Sequence, residues 1–152
     1  AEGLSTLVNS IFGSIPAIRH RPEESYYHSV LHGYLYDMPG AAISLSGMPG
    51  STGTPDIAVV FDDGLCAVIE LKYEKGEDED PDDGSGVIAR RKKKPGPTKA
   101  KIGRIQARLA QAALAAIDGK GYPRPHESRA RKVVRIGLGI YGRGQSLALM
   151  GG

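Results

Sequence analysis

Internal disulfides are excluded at the outset, because Cys66 is the one cysteine among 152 residues. Its place inside an apolar run marks a buried thiol rather than a reactive one. Long apolar runs are lacking too. No stretch approaches the ~18 residues a bilayer span requires, and the N-terminus has no basic region leading into an apolar segment with a cleavage site. These absences lead to the expectation of a non-membrane protein of the reducing cytoplasm. A first residue other than Met reads as a processed chain or as a domain cut from a longer one.

Neither extreme of composition is present: 40% of residues are hydrophobic and 24% charged. That excludes a disordered chain and fits one globular domain over 1–152. The formal net charge of +3 conceals segregation. From Glu74 to Asp83 there are seven acids and one lysine, whereas Arg90 to Arg104 holds eight bases and no acid. A further six bases face one acid between Lys120 and Arg135. Such blocks can follow a phosphate backbone with a steep salt dependence, but a solvated surface loop has the same composition. Residues 74–97, rich in charge, Gly and Pro, read as a mobile loop with too few apolar groups to pack.

Pro22, Glu23 and Glu24 suit a helix start, since Pro fits the first helical position and acids favour the positive end of the dipole. That helix is expected to run to about Asp37, with Tyr27, Val30, Leu31, Tyr34 and Leu35 as its core stripe. Glu24 falls on the same stripe, so its carboxylate is expected to point coreward and to need a partner. Ala41–Ser46 reads as a short strand before a Gly/Ser/Pro-rich loop over Gly47–Gly53. Asp56–Phe61 and Leu65–Lys72 then read as a β-hairpin around Asp62-Asp63-Gly64. Thr98 can cap a second helix through Asp118, with Ile102, Ile105, Leu109, Ala113, Ala116 and Ile117 on one face and Gly119 beyond its end. Lys132–Tyr141 reads as a last strand.

Glu70 and Lys72 are two residues apart on a strand, so their side chains leave the same face. If the turn pairs Phe61 with Leu65, the register continues 60 with 66, 58 with 68 and Asp56 with Glu70. The two carboxylates then become cross-strand neighbours with Cβ atoms about 5 Å apart, and their repulsion needs compensation. Two hard oxygen ligands at that separation suit Mg²⁺, which keeps several waters and completes its shell with substrate phosphate; Mn²⁺ is the alternative. Lys72, beside two acids, is expected to stay an ammonium. Its role is then to orient the attacking water and offset charge on the phosphorane, with the metal activating that water.

Pro55-Asp56, thirteen intervening residues and Glu70-Leu71-Lys72 spell PD-x(n)-E-x-K. The chain resembles the PD-(D/E)xK nuclease superfamily, and within it the domain often fused behind a predicted AAA-type ATPase. The resemblance extends over Leu7–Pro16, Glu24-Ser-Tyr-Tyr27-His28, Gly53-Thr-Pro-Asp56, Glu70-Leu-Lys72, and Ala113–Ile117 through Lys120-Gly-Tyr122. It implies a restriction-endonuclease-like α/β core: a central mixed β-sheet, a hairpin carrying the active site, and flanking helices. It also implies Asp56, Glu70 and the Leu71 carbonyl as metal ligands, Glu24 as the first-helix acid that joins them around the metal, and Lys72 as the catalytic lysine. Thr54 stands where the family usually has Arg, and Ala116 where it usually has Gln. The charged insertion between Glu74 and Lys101 is longer than typical.

Other motifs carry less. Gly137-Leu-Gly-Ile-Tyr-Gly142 spells G-x-G-x-x-G inside a strand with no following helix, so it does not read as a dinucleotide site. His28 and His32 lie at i, i+4 without the HExxH glutamate or a third ligand for zinc. For His28, one helical turn from Glu24, contact with the scissile phosphate and a structural role are both open. Tyr122 matches a family position near the site, although packing is the plainer reading. The expectation is therefore a Mg²⁺-dependent deoxyribonuclease whose backbone contacts come from His28, Arg90, Arg91, Lys92, Lys93, Lys94, Lys99, Lys101, Arg104 and Tyr122. DNA is the expected partner, and the resemblance adds a homodimer and a fused or associated ATPase. A catalytically idle DNA-binding or assembly module of the same fold and a nuclease toxin or effector domain are the alternatives.

Overall fold

The computed structural model describes residues 2–15, 23–46, 55–76, 96–121, 130–142 and 145–151. Within them lie α1 (Glu2–Gly13), α2 (Glu24–Tyr36), β1 (Ala41–Ser46), β2 (Ile57–Phe61), β3 (Leu65–Glu74), α3 (Lys99–Lys120), β4 (Lys132–Tyr141) and β5 (Gln145–Gly151). The five strands form one mixed sheet in sequential order β1-β2-β3-β4-β5. All neighbours are antiparallel except β3 and β4. A parallel pair needs a crossover, and α3 lies within that connection. Helices flank the sheet on both faces, an α/β arrangement.

Alternation along the strands divides the core. Ala67, Ile69 and Leu71 of β3 join Ile57, Val59, Ile136, Leu138 and Ile140 against α1 and α2, which contribute Val8, Phe12, Tyr27, Leu31 and Leu35. Cys66 and Val68 point the other way, onto Ile117 of α3, with Val60, Leu114 and Val133 around them. In α2 the stripe read from sequence is buried at Tyr27, Leu31 and Leu35. Tyr34, expected on that stripe, is 51% exposed. It lies at the edge of the stripe and lines an apolar cleft on the outer side of the helix with Ile15, Val30 and Met38.

The hairpin turn follows from Gly64, which takes φ +83° and donates its N–H to Phe61 O at 2.9 Å. Asp63 Oδ1 accepts the Leu65 N–H at 3.0 Å and closes the turn. At the far side of the sheet, α3 rests directly on the backbone of β4. A Cβ at Gly137 would lie 2.1 Å from Ala110 O, and one at Gly139 2.2 Å from Gln106 O. The G-x-G spacing is thus a helix seat, and the chain continues into β5 rather than into a phosphate-binding helix.

The end of α3 differs from the sequence expectation. Thr98 does cap the start, with Oγ1 accepting the Lys101 N–H at 3.3 Å. The helix, however, continues through Gly119 to Lys120, and Gly121 at φ 65° is the left-handed cap. Of the two glycines, the second provides the stop: it takes the left-handed conformation and returns its N–H to the carbonyls of Asp118 and Ile117. Helix α1 and strand β5 were not read from the sequence as elements. Among the described residues no helix is long and apolar enough to cross a membrane.

Candidate active site

The β2–β3 ladder pairs Val60 with Cys66, Ala58 with Val68 and Ile57 with Ile69. One further step brings Asp56 beside Glu70, the neighbourhood that the three-residue turn implied. Asp56 lies just outside the regular strand, and its hydrogen bonds say why. Its Oδ2 accepts the Leu71 N–H at 2.7 Å, its backbone carbonyl is taken by His28 Nε2 at 2.8 Å, and its N–H reaches Glu70 Oε2 at 3.4 Å. Side-chain bonding has replaced backbone pairing at this position. Because a carbonyl only accepts, His28 carries its proton on Nε2 here.

Glu70 is the single buried charged residue among those described, at 2% exposure. A buried carboxylate requires partners, and it has cations on one oxygen. Lys72 Nζ lies 3.5 Å and Lys120 Nζ 3.6 Å from Glu70 Oε1. Burial pushes the Glu70 carboxyl above the usual glutamate range, and the Asp56 charge pushes it further; Lys72, Lys120 and the Asp56 N–H pull it back. Lys72 also lies 3.9 Å from Glu24 Oε1. These are loose ion pairs rather than short hydrogen bonds, and the lysines remain partly open to solvent, at 35% and 52% for Lys72 and Lys120.

Glu24 comes to this cluster from the first turn of α2. It does not point into the core as expected: its side chain is 46% exposed, and Oε2 accepts the Tyr73 N–H at 3.1 Å. The stripe on which it falls leaves the sheet at this end, so the carboxylate caps the edge of β3. Two anchors fix that turn. Tyr27 stacks on Tyr73 and donates its hydroxyl to Gly142 O at 2.8 Å, and His28 holds the Asp56 carbonyl. For His28 this is a structural role, tying α2 to the start of β2.

Asp56, Glu70, Lys72 and Glu24 are therefore brought together, and Leu71 contributes its N–H to Asp56. Lys99, Lys101 and Arg104 are exposed on the first turns of α3. The Gln106 carbonyl sits over Gly139, the register partner of Lys72. At 1.5 Å per residue, the turns carrying these bases extend about 10 Å beyond the level of Lys72. Arg90, Arg91, Lys92, Lys93, Lys94, Tyr122 and Thr54 lie outside the described residues. Ala116 is half-buried on α3.

Lys120 was missed as a site residue. Its signal was available: a lysine three positions after Ile117, on the stripe that faces the sheet, can lay its stem along the core and carry its ammonium to a nearby carboxylate. Placing the helix end before Gly119 hid it. Among the described residues no three His, Cys, Asp or Glu side chains are gathered for a metal. Asp56 and Glu70 instead form a carboxylate pair with two lysines at hand, and they are the oxygen donors that fit a hard divalent cation. No family model, curated protein or solved structure matches the chain.

Proposed function

We propose that the chain is a metal-dependent nuclease of the PD-(D/E)xK type that hydrolyses phosphodiester bonds in DNA. One observation carries the reading: Asp56 and Glu70 lie side by side at the open end of a hairpin, with Lys72 Nζ 3.5 Å from the Glu70 carboxylate. The mixed sheet with helices on both faces and this hairpin within it supports a restriction-endonuclease-like core.

Asp56, Glu70 and the main-chain carbonyl of Leu71 are the groups that would hold Mg²⁺ or Mn²⁺, with Glu24 at the rim. Burial first and the Asp56 charge second disfavour the Glu70 carboxylate, and both are penalties that a divalent cation would relieve. When bound, the ion supplies Lewis-acid stabilisation of phosphoryl oxygens and lowers the pKa of water. The chain's own groups do the rest. Lys72, held between Glu70 and Glu24, offsets the negative charge that builds on the phosphoryl oxygens. Asp56 spends one oxygen on Leu71 N–H, which fixes the orientation of the other. Lys99, Lys101 and Arg104 hold the backbone beyond the site, and their contribution weakens with salt.

The test incubates the protein with supercoiled plasmid, single-stranded DNA and RNA in Mg²⁺, Mn²⁺ or EDTA, beside Asp56→Ala and Lys72→Ala. Metal-dependent DNA cleavage lost in both variants is expected. Equal cleavage by all three proteins sinks the mechanism, and salt-sensitive DNA binding without cleavage reassigns the chain as an idle binding module.

A further inference from the structure

We infer that Lys120 is a built-in counter-ion that competes with a divalent cation for Glu70, and that it turns to the substrate phosphate once the cation is bound. This rests on the nuclease reading and adds a residue and a sequence of events to it.

The two lysines reach the same oxygen of Glu70 from different elements, Lys72 from β3 itself and Lys120 from the last turn of α3. Lys72 stands between two carboxylates, so it keeps Glu24 when Glu70 is engaged elsewhere. Lys120 comes in from the solvent side, 52% exposed, on a flexible four-carbon stem that can swing without moving the helix. Glu70, whose side chain is buried, cannot follow it.

Charge decides the order of events. Among the described residues of this cluster, the carboxylates of Glu24, Asp56 and Glu70 outnumber the ammoniums of Lys72 and Lys120 by one. A divalent cation on Asp56 and Glu70 turns that excess into one positive charge, which a phosphodiester neutralises. Two ammoniums and a dication drawn to one carboxylate would repel, and the ammonium on the more exposed stem would yield. Without Lys120 the resting site is more negative: the cation is held more tightly, but the loaded site no longer balances the phosphodiester. Removal of one positive charge near the metal therefore has opposite signs for metal and substrate. A lysine that merely stabilised the fold would move neither affinity in this pattern.

The experiment titrates Mn²⁺ calorimetrically into the metal-free chain and compares it with Lys120→Gln, Lys120→Met, Lys120→Arg and Arg108→Gln, the last removing a charge of α3 that pairs with Glu74 instead. Both neutral substitutions are expected to tighten Mn²⁺ about tenfold at moderate salt, with Lys120→Arg and Arg108→Gln staying near the unchanged chain. The Mn²⁺-induced rise in melting temperature should be larger for Lys120→Gln, which also reports that the variant is folded. Weakened binding of a non-cleavable DNA in the presence of Mn²⁺ completes the expected pattern. Unchanged or weaker Mn²⁺ binding in Lys120→Gln and Lys120→Met overturns the competition while leaving the nuclease reading intact. Absence of Mn²⁺ binding in every variant overturns the metal-dependent reading and this inference together.

Discussion

The two ends of the β2–β3 hairpin present the same ladder to the same helix and do opposite things with it. Near the turn, Val60, Cys66 and Val68 close against Ile117 with no polar atom to satisfy. At the open end the next charged positions on that face are Asp56, Glu70 and Lys72, and the ammonium of Lys120 reaches Glu70 from the last turn of the same helix. The geometry is continuous while the chemistry switches. A charged site has thus been made by replacing the last apolar members of a core ladder, and its charges are tolerated because both signs arrive together.

Transplanting the charge tests this most severely. Val68→Glu places a carboxylate one step toward the turn, among Cys66 and Ile117. A loss of about 4 kcal/mol or more, read in urea unfolding, is expected for an unpaired buried charge. A near-neutral result would mean that the turn end is as able to host charge as the open end. Gly139→Ala acts on the contact that both ends share, since its Cβ would stand 2.2 Å from Gln106 O. A loss of about 3 kcal/mol is expected, with reduced cleavage because α3 carries Lys120.

Glu70→Gln makes the open end neutral. The folded carboxyl lies above its ordinary value of 4.5, so folding favours the protonated form relative to the unfolded chain. Its stabilising contribution is complete below that value and is lost as pH rises through the raised one. The melting-temperature difference between Glu70→Gln and the unchanged metal-free chain should therefore shift in favour of the variant over that interval. Cleavage at neutral pH should fall about a thousandfold, as for loss of a metal ligand and its charge. A pH-independent difference would place the Glu70 perturbation elsewhere. Glu24→Gln is the mildest change: about tenfold slower cleavage, with stability within about 0.5 kcal/mol, since the side chain is half-exposed.

Much of this contrast was legible in the sequence, for local reasons. A three-residue turn with Gly64 and a period of two were enough to set Asp56 next to Glu70, and Thr98 marked the start of α3. Three things were less legible because they depend on where an element ends or leaves the sheet. Glu24 has the periodicity of a core residue, but its turn overhangs the edge of β3, so it caps a backbone N–H rather than entering the core. Tyr34 sits at the stripe's margin and faces outward. Lys120 depended on which of two glycines stops the helix, and its partner is fifty residues away in the chain. The G-x-G of β4 was set aside as a dinucleotide motif, but only the position of α3 explains what those glycines are for.

That glycine seat has a mechanical consequence. Side chains that pack through their tips can trade rotamers and let a helix drift, whereas main chain resting on main chain has no such slack. Because α3 bears on β4 through the carbonyls of Ala110 and Gln106, its origin is fixed relative to the sheet, and Lys120 inherits a defined reach to Glu70. The one adjustable part in that linkage is the lysine stem. The placement of α3 over the carboxylate pair is thereby set on a strand that supplies none of the centre's charges.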